Sequence, residues 1–184
     1  GGVGHGLARF LVCVVLLHAG AGAAVASVSP SVLAQAEQRL ALRFAEVGLA
    51  YPPQAVTLVA LKREARLELW ADGGRGWTFV RSYLVRASSG GLGPKRRLGD
   101  HQVPEGVYGI EALNPDSLYH LSMRIAYPNA FDRARAMDDG RTRLGGDIMI
   151  HGSNVSDGCI PVGDEAVEQL SHPTSRVGTE AVRV

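Results

Sequence analysis

The chain has 184 residues, of which 19 are lysine or arginine and 18 are aspartate or glutamate, so its formal net charge is +1 at neutral pH. This balance creates no strong electric field, and nucleic acid is therefore excluded as an expected partner. The length is enough for one domain with a hydrophobic core.

The N-terminal segment has the pattern of a secretory signal peptide. Arg9 supplies a positive charge, residues 10–17 form a short apolar run, and residues 24–26 fit a cleavage site between small side chains. The run is short for a membrane span, and a single-span anchor is the alternative. We predict that residues 1–26 are a signal peptide and that the protein is exported to the periplasm or cell envelope.

The next segment, residues 27–54, is predicted to be a linker followed by a helix. Ser31 is the expected N-cap of a helix over residues 31–47. Apolar residues recur on one face of this helix at helical spacing, and this face is expected to pack against a core. The face consists of Leu33, Ala36, Leu40, Phe44 and Val47.

Residue 55 begins a domain that is predicted to be mainly β, with flanking helices, and to extend to residue 172. Its segments are rich in β-branched and aromatic residues, several of them alternate, and turn residues separate them. The expected strands are 56–61, 66–70, 77–86, 106–113, 119–125 and 147–151. Residues 66–70 and 77–86 form a predicted hairpin.

Loops and one short helix complete the predicted domain. Residues 88–95 are a glycine-rich loop, because no Gly-Lys-Ser/Thr ending follows it to make a phosphate cradle. Residues 128–144 are polar and are expected to form an ordered loop with about one helical turn. Asp164 is the expected N-cap of a helix over 164–170, and residues 173–184 are a C-terminal tail.

The candidate chemistry lies at His151 and Cys159. Cys159 is the only cysteine outside the N-terminal segment, which excludes an intramolecular disulfide in the exported protein. A histidine that follows a buried strand and precedes a cysteine by eight residues can take the thiol proton and hold the thiolate as an ion pair. The backbone N–H groups of Gly158 and Cys159 are candidates for an oxyanion hole.

Two alternatives for the cysteine remain open at this point. A free cysteine is often an unreactive core residue. A metal site is less favoured, because one cysteine and one histidine leave a tetrahedral shell short of ligands.

The order of several short segments resembles the YkuD-type L,D-transpeptidase catalytic domain, and in particular its YafK-like branch. Residues 150–159 match the family's HG…SxGC signature, and further matches extend from residue 58 to residue 170. The other matching segments are 67–70, 93–95, 99–106, 113–117 and 127–132.

The resemblance implies a β-sandwich-like domain that acts on peptidoglycan stem peptides without metal or organic cofactor. It implies that Cys159 is the nucleophile, that His151 is the base, and that the Gly152 carbonyl orients the imidazole. Ser156 and Gly158 match positions that shape the loop. The expected intermediate is a thioester acyl-enzyme. The protein is expected to be a monomer whose partners are stem peptides and peptidoglycan-anchored proteins.

The chain also departs from the family pattern. Asp157 stands where many members have histidine, and Pro161 stands where many have arginine. These departures fit the YafK-like branch and favour cleavage slightly over crosslinking. Lys95 is a candidate contact for a substrate carboxylate, although a solvated lysine is an equal alternative. A non-catalytic peptidoglycan-binding module is the alternative function.

Overall fold

The computed structural model describes residues 27–177 and 182–183. The predicted signal peptide lies outside these residues. Among the helices of the described part, none combines the length and the apolar character that a membrane crossing requires.

The first helix, α1 (Pro30–Glu46), begins three residues after the start of the described chain and packs on the core. Ser29, and not Ser31, is its N-cap, because the Ser29 side chain accepts the backbone N–H of Val32 and proline occupies the first helical position. The predicted core face is confirmed at three fully buried residues: Ala36, Leu40 and Phe44.

One four-stranded sheet has the strand order β3-β2-β1-β8. Its strands are β1 (Ala55–Leu61), β2 (Arg66–Asp72), β3 (Trp77–Leu84) and β8 (Val182–Arg183). The first three form an antiparallel meander, and β8 pairs with β1 in parallel. The predicted hairpin is confirmed, and the alternation of β2 buries Leu67, Leu69 and Ala71.

The second four-stranded sheet has the order β4-β5-β6-β7. Its strands are β4 (Ile110–Ser117), β5 (His120–Ile125), β6 (Met149–His151) and β7 (Ile160–Pro161). Strands β4, β5 and β6 are antiparallel neighbours, whereas β6 and β7 run parallel. The sheet therefore ends in a very short strand that directly follows Cys159.

Two more helices differ from the sequence-based prediction. Helix α2 (Ala130–Asp138) occupies most of the segment predicted as a loop, and a capping box between Asn129 and Asp132 closes its N-terminus. Helix α3 (Asp164–Val177) continues past the predicted end at Leu170. The prediction missed α2 because Ala136 is its one buried residue, so it has almost no apolar face.

Side chains from both sheets and from helices α1 and α3 meet in one hydrophobic core. The predicted class, mainly β with flanking helices, is confirmed. Helix α1 contributes Leu40 and Phe44 to this core, and Phe44 stacks edge-on against Tyr51 with ring centroids 5.2 Å apart. The segment before residue 55 is thus packed against the same core as the strands.

We expect Phe44→Ala to destabilise the fold by about 3–5 kcal/mol, because it empties a fully buried aromatic position. Urea unfolding followed by tryptophan fluorescence measures this change. Leu42→Ala is the matched control on the same helix, since Leu42 is 62% exposed and its removal should cost about 0.5 kcal/mol or less. Equal effects of the two changes would contradict the packing of α1.

Candidate active site

The pairing of β6 with β7 brings His151 and Cys159 to neighbouring strands. Ile150 pairs with Ile160 and His151 pairs with Pro161, so Cys159 directly precedes the paired part of β7. Strand spacing and rise then put the Cα atoms of His151 and Cys159 roughly 8 Å apart, on the same face. A thiol and an imidazole can approach each other across that distance.

The imidazole of His151 is held in one orientation. His151 is buried at the end of β6, and its Nδ1 bonds to the carbonyl oxygen of Gly152. A carbonyl only accepts, so Nδ1 carries the proton and Nε2 keeps its lone pair. The ring of Tyr119 packs against the imidazole ring, with the two ring centroids 4.7 Å apart, and covers one face of it.

Burial lowers the pKa of His151, and the hydrogen bond to Gly152 offsets this only in part. The neutral imidazole is the form that accepts a proton. His151 is therefore in its basic form at neutral pH and stays so below the pH at which an ordinary histidine becomes charged.

Gly152 allows the chain to turn tightly beside the histidine. A Cβ atom at this position would lie 2.5 Å from the carbonyl oxygen of Tyr119 and 2.6 Å from Oδ1 of Asp164. The same Asp164 oxygen accepts the N–H of Ser153 at 2.8 Å. Residue 152 must be glycine because the turn before β5 and the start of α3 leave no room for a side chain.

Cys159 is partly buried, and its thiol bonds to the carbonyl oxygen of Asp147 with a sulfur–oxygen distance of 3.7 Å. Within residues 27–177 and 182–183, no hydrogen bond joins this thiol to His151. The resting thiol thus bonds to a backbone carbonyl and not to the imidazole.

The surroundings of Cys159 favour the neutral thiol. Burial raises the pKa of Cys159, and the carboxylates of Asp157 and Asp147 raise it further. A backbone hydrogen bond at Met149 and the charge of Lys95 act in the opposite direction. These directions favour a thiol beside a neutral imidazole in the free site over the ion pair expected from the sequence.

The loop before Cys159 is fixed by contacts with the glycine-rich segment. The N–H of Gly158, a buried residue with φ +79°, donates to Oγ of Ser89 at 2.6 Å. Ser156 Oγ donates to the Cys159 carbonyl at 2.8 Å and lies 3.2 Å from the same Ser89 hydroxyl. The Gly158 N–H, which the sequence analysis assigned to an oxyanion hole, is thus already bonded to Ser89. No local sequence pattern indicated this contact.

Asp157 lies on the outer side of this loop. Its carboxylate is exposed and bonds to Nδ1 of His101, which belongs to a segment far away in sequence. The carbonyl oxygen of Gln102 would lie 3.0 Å from a Cβ at Gly158. Residues 101 and 102 therefore pack against the loop that precedes Cys159.

The structure places Lys95 away from solvent. It is buried, and its Nζ donates to Oδ1 of Asp100 at 2.7 Å and to the carbonyl of Arg97 at 3.1 Å. Burial by itself raises the pKa of Asp100, but hydrogen bonds from Lys95 and from three backbone amides hold that pKa well below its usual range. These bonds occupy the charge that a substrate carboxylate would need.

Two further observations describe the surroundings of the site. In the described part of the chain, no group of three or more His, Cys, Asp or Glu side chains is arranged as a metal site. The pocket beside Cys159 has a volume of about 20 Å³ and is lined in part by Ala60, Ala87 and Val103. This is roughly the room that one water molecule needs.

Comparison with known families agrees with this geometry. Residues 55–182 match the family model described as the L,D-transpeptidase catalytic domain, YkuD. The match covers well over half of the chain, and the protein belongs to this family.

Two curated relatives are similar over the same region. The protein named "Putative L,D-transpeptidase YafK" in Escherichia coli strain K12 is 37% identical over 117 residues, and so is its counterpart in E. coli O157:H7. Each alignment covers 62% of this chain and 45% of the relative. The chain thus spans less than half the length of these relatives.

Solved structures share the fold. Pgp2, the helical cell shape determining protein of Campylobacter jejuni, superposes with a TM-score of 0.56 and 22% identity, covering 71% of this chain and 46% of Pgp2. Bd1075 of Bdellovibrio bacteriovorus gives a TM-score of 0.51 and 20% identity, covering 70% of this chain and 46% of Bd1075.

We expect Gly152→Ala to inactivate the site while the remaining core stays folded. The added Cβ forces residue 152 away from Tyr119 and Asp164, so the carbonyl that orients His151 moves with it. Turnover and the melting temperature, measured on one preparation, separate the two effects. Gly109→Ala is the control, because nothing lies within 4 Å of a Cβ there.

The pH dependence of alkylation tests the resting state of Cys159. Because its pKa is raised, we expect the iodoacetamide rate to increase with pH through and beyond the range of a free cysteine, whose pKa is about 8.5. Asp157→Asn removes one of the raising charges and should shift the profile to lower pH. A rate that is already maximal below pH 7 would instead show a preformed thiolate.

Proposed function

We propose that the protein is a cysteine-dependent acyl-transfer enzyme that acts on peptidoglycan stem peptides through a thioester. The observation that carries the proposal is the His151–Gly152 hydrogen bond, which fixes a neutral base with a free Nε2 on the strand beside Cys159. Family membership supports the same conclusion.

In the first half of the proposed reaction, Sγ of Cys159 attacks the carbonyl carbon of a stem-peptide amide, and the thiol proton passes to Nε2 of His151. The tetrahedral intermediate then collapses, the C–N bond breaks, and the imidazolium gives its proton to the leaving amine. The product is a thioester on Cys159. Proton transfer during attack suits a resting thiol that is neutral.

The negative charge of the intermediate needs donors near the reacting carbonyl. The N–H groups of Gly158 and Cys159 remain the candidates, because they directly adjoin the nucleophile. The substrate oxygen must then replace the Ser89 hydroxyl at the Gly158 amide.

In the second half, water or an amine attacks the carbonyl carbon of the thioester and gives its proton to His151. The C–S bond then breaks, and the imidazolium returns the proton to Sγ of Cys159. Water yields hydrolysis, and an amine yields a crosslink or an attached protein. We retain the slight preference for hydrolysis. Its support is the compact loop from His151 to Cys159 together with Pro161, which stands where many family members have arginine. Either chemistry requires access to peptidoglycan, so the proposal includes a location in the periplasm or cell envelope, with stem peptides as substrate.

Incubation with purified muropeptides, with and without an added D-amino acid, tests the proposal. We expect Cys159→Ala to abolish product formation, because the nucleophile is lost, and His151→Ala to reduce it about 10²–10⁴-fold. Mass spectrometry identifies shortened, crosslinked or exchanged products. Mainly crosslinked or exchanged products would contradict the hydrolytic preference.

The matched control for His151 is His120, which lies at the start of β5 and bonds to Glu168 at 2.7 Å. Turnover should survive His120→Gln in the folded variant. If the wild-type protein binds muropeptides but forms no more product than Cys159→Ala, the chain is a binding module and the enzymatic proposal is wrong.

A further inference from the structure

A basic groove lies next to the loop of residues 152–159, which carries the proposed nucleophile Cys159 and is here named the nucleophile loop. It has a volume of about 690 Å³ and is lined by Pro94, Arg96, Arg97, residues 99–102 and Arg141. Three of these residues are arginines, in a chain whose net charge is only +1. The positive charge is thus concentrated locally and does not reflect the overall composition.

Hydrogen bonds within the protein fix the shape of this groove. Arg96 and Arg141 share the carboxylate of Asp139, with nitrogen–oxygen distances of 2.7 and 3.0 Å, and Arg141 also donates to the Arg96 carbonyl at 2.7 Å. Two arginines against one carboxylate leave a positive excess. The fixed geometry means that binding an anion there requires little reorganisation.

Arg97 is the free cation of the groove. Its backbone N–H donates to Asp100 at 2.9 Å and its carbonyl accepts Lys95, so the main chain is held firmly. Its side chain is exposed and makes no hydrogen bond or ion pair with any residue in 27–177 or 182–183. Asp100 cannot neutralise it, because both carboxylate oxygens already accept other donors.

The groove shares a wall with the loop that carries Cys159. Its wall at residues 101 and 102 contacts the loop through the His101–Asp157 pair and through the close approach of Gln102 to Gly158. Two carboxylates lie on this side, and both already have partners: Asp157 is paired with His101, and Asp100 is paired with Lys95. A peptide that extends past residues 101 and 102 would therefore reach from the groove to the loop that carries Cys159.

We propose that the basic groove binds free carboxylates of the peptide whose amide Cys159 attacks, with Arg97 as the main contact. The inference rests on the proposed function and adds the charge of the substrate. A planar guanidinium matches a carboxylate with two parallel hydrogen bonds. The groove replaces buried Lys95 as the carboxylate site, since the Lys95 charge is already paired within the protein.

The test measures binding of two muropeptides, one with free stem carboxylates and one with the same groups amidated, to the Cys159→Ala protein by calorimetry. At about 0.1 M salt we expect amidation to weaken binding roughly three- to tenfold. Adding Arg97→Gln should cause the same loss for the free peptide and no loss for the amidated one. Arg97→Lys should recover part of the affinity, because the charge remains without the planar fork.

Arg75→Gln is the matched control, since Arg75 is an exposed arginine in the turn between β2 and β3. Equal losses of affinity from Arg75→Gln and Arg97→Gln, or equal binding of the two peptides, would contradict the proposal that the groove binds the peptide carboxylates. Stronger competition by polyphosphate than by the free peptide would overturn the carboxylate assignment. Carboxylate-dependent binding without Cys159-dependent turnover would support the groove and refute the enzymatic function.

Discussion

The parallel pairing of β6 with β7 is the constraint on which the site depends. Parallel strands are usually joined by a long crossover, yet here only residues 152–159 connect them. The connection is possible because both strands are very short and because Ser153 and Gly158 have positive φ angles of 63° and 79°. The same tight loop that closes the pair carries the carbonyl that orients His151 at one end and Cys159, the proposed nucleophile, at the other.

A second constraint is the buried ion pair between Lys95 and Asp100. Breaking a buried pair is costly because it leaves one charge without a partner, so the segment from residue 95 to residue 102 is held rigidly. This rigidity is useful at two places. It presents Arg97 to solvent on one side, and it presses Gln102 against the nucleophile loop on the other.

Sequence reasoning succeeded where a repeating pattern was long enough to see. The face of α1 and the alternation of β2 follow directly from helical and strand periods, and the motif around Cys159 indicated the family. It failed where structure depends on partners distant in sequence. Nothing local marks Ser89 as a contact of Gly158, or Lys95 as buried, and two-residue β7 has too few positions to show a period.

The hydrogen bond from Gly158 to Ser89 has a consequence for how binding energy is used in the proposed reaction. A neutral substrate carbonyl that displaces the Ser89 hydroxyl exchanges one hydrogen bond for another of similar strength, so ground-state affinity gains little. An oxyanion at the same amide makes a charge-assisted bond that is stronger. The serine thereby makes the amide selective for the transition state over the substrate, which is the condition for faster chemistry without tighter binding.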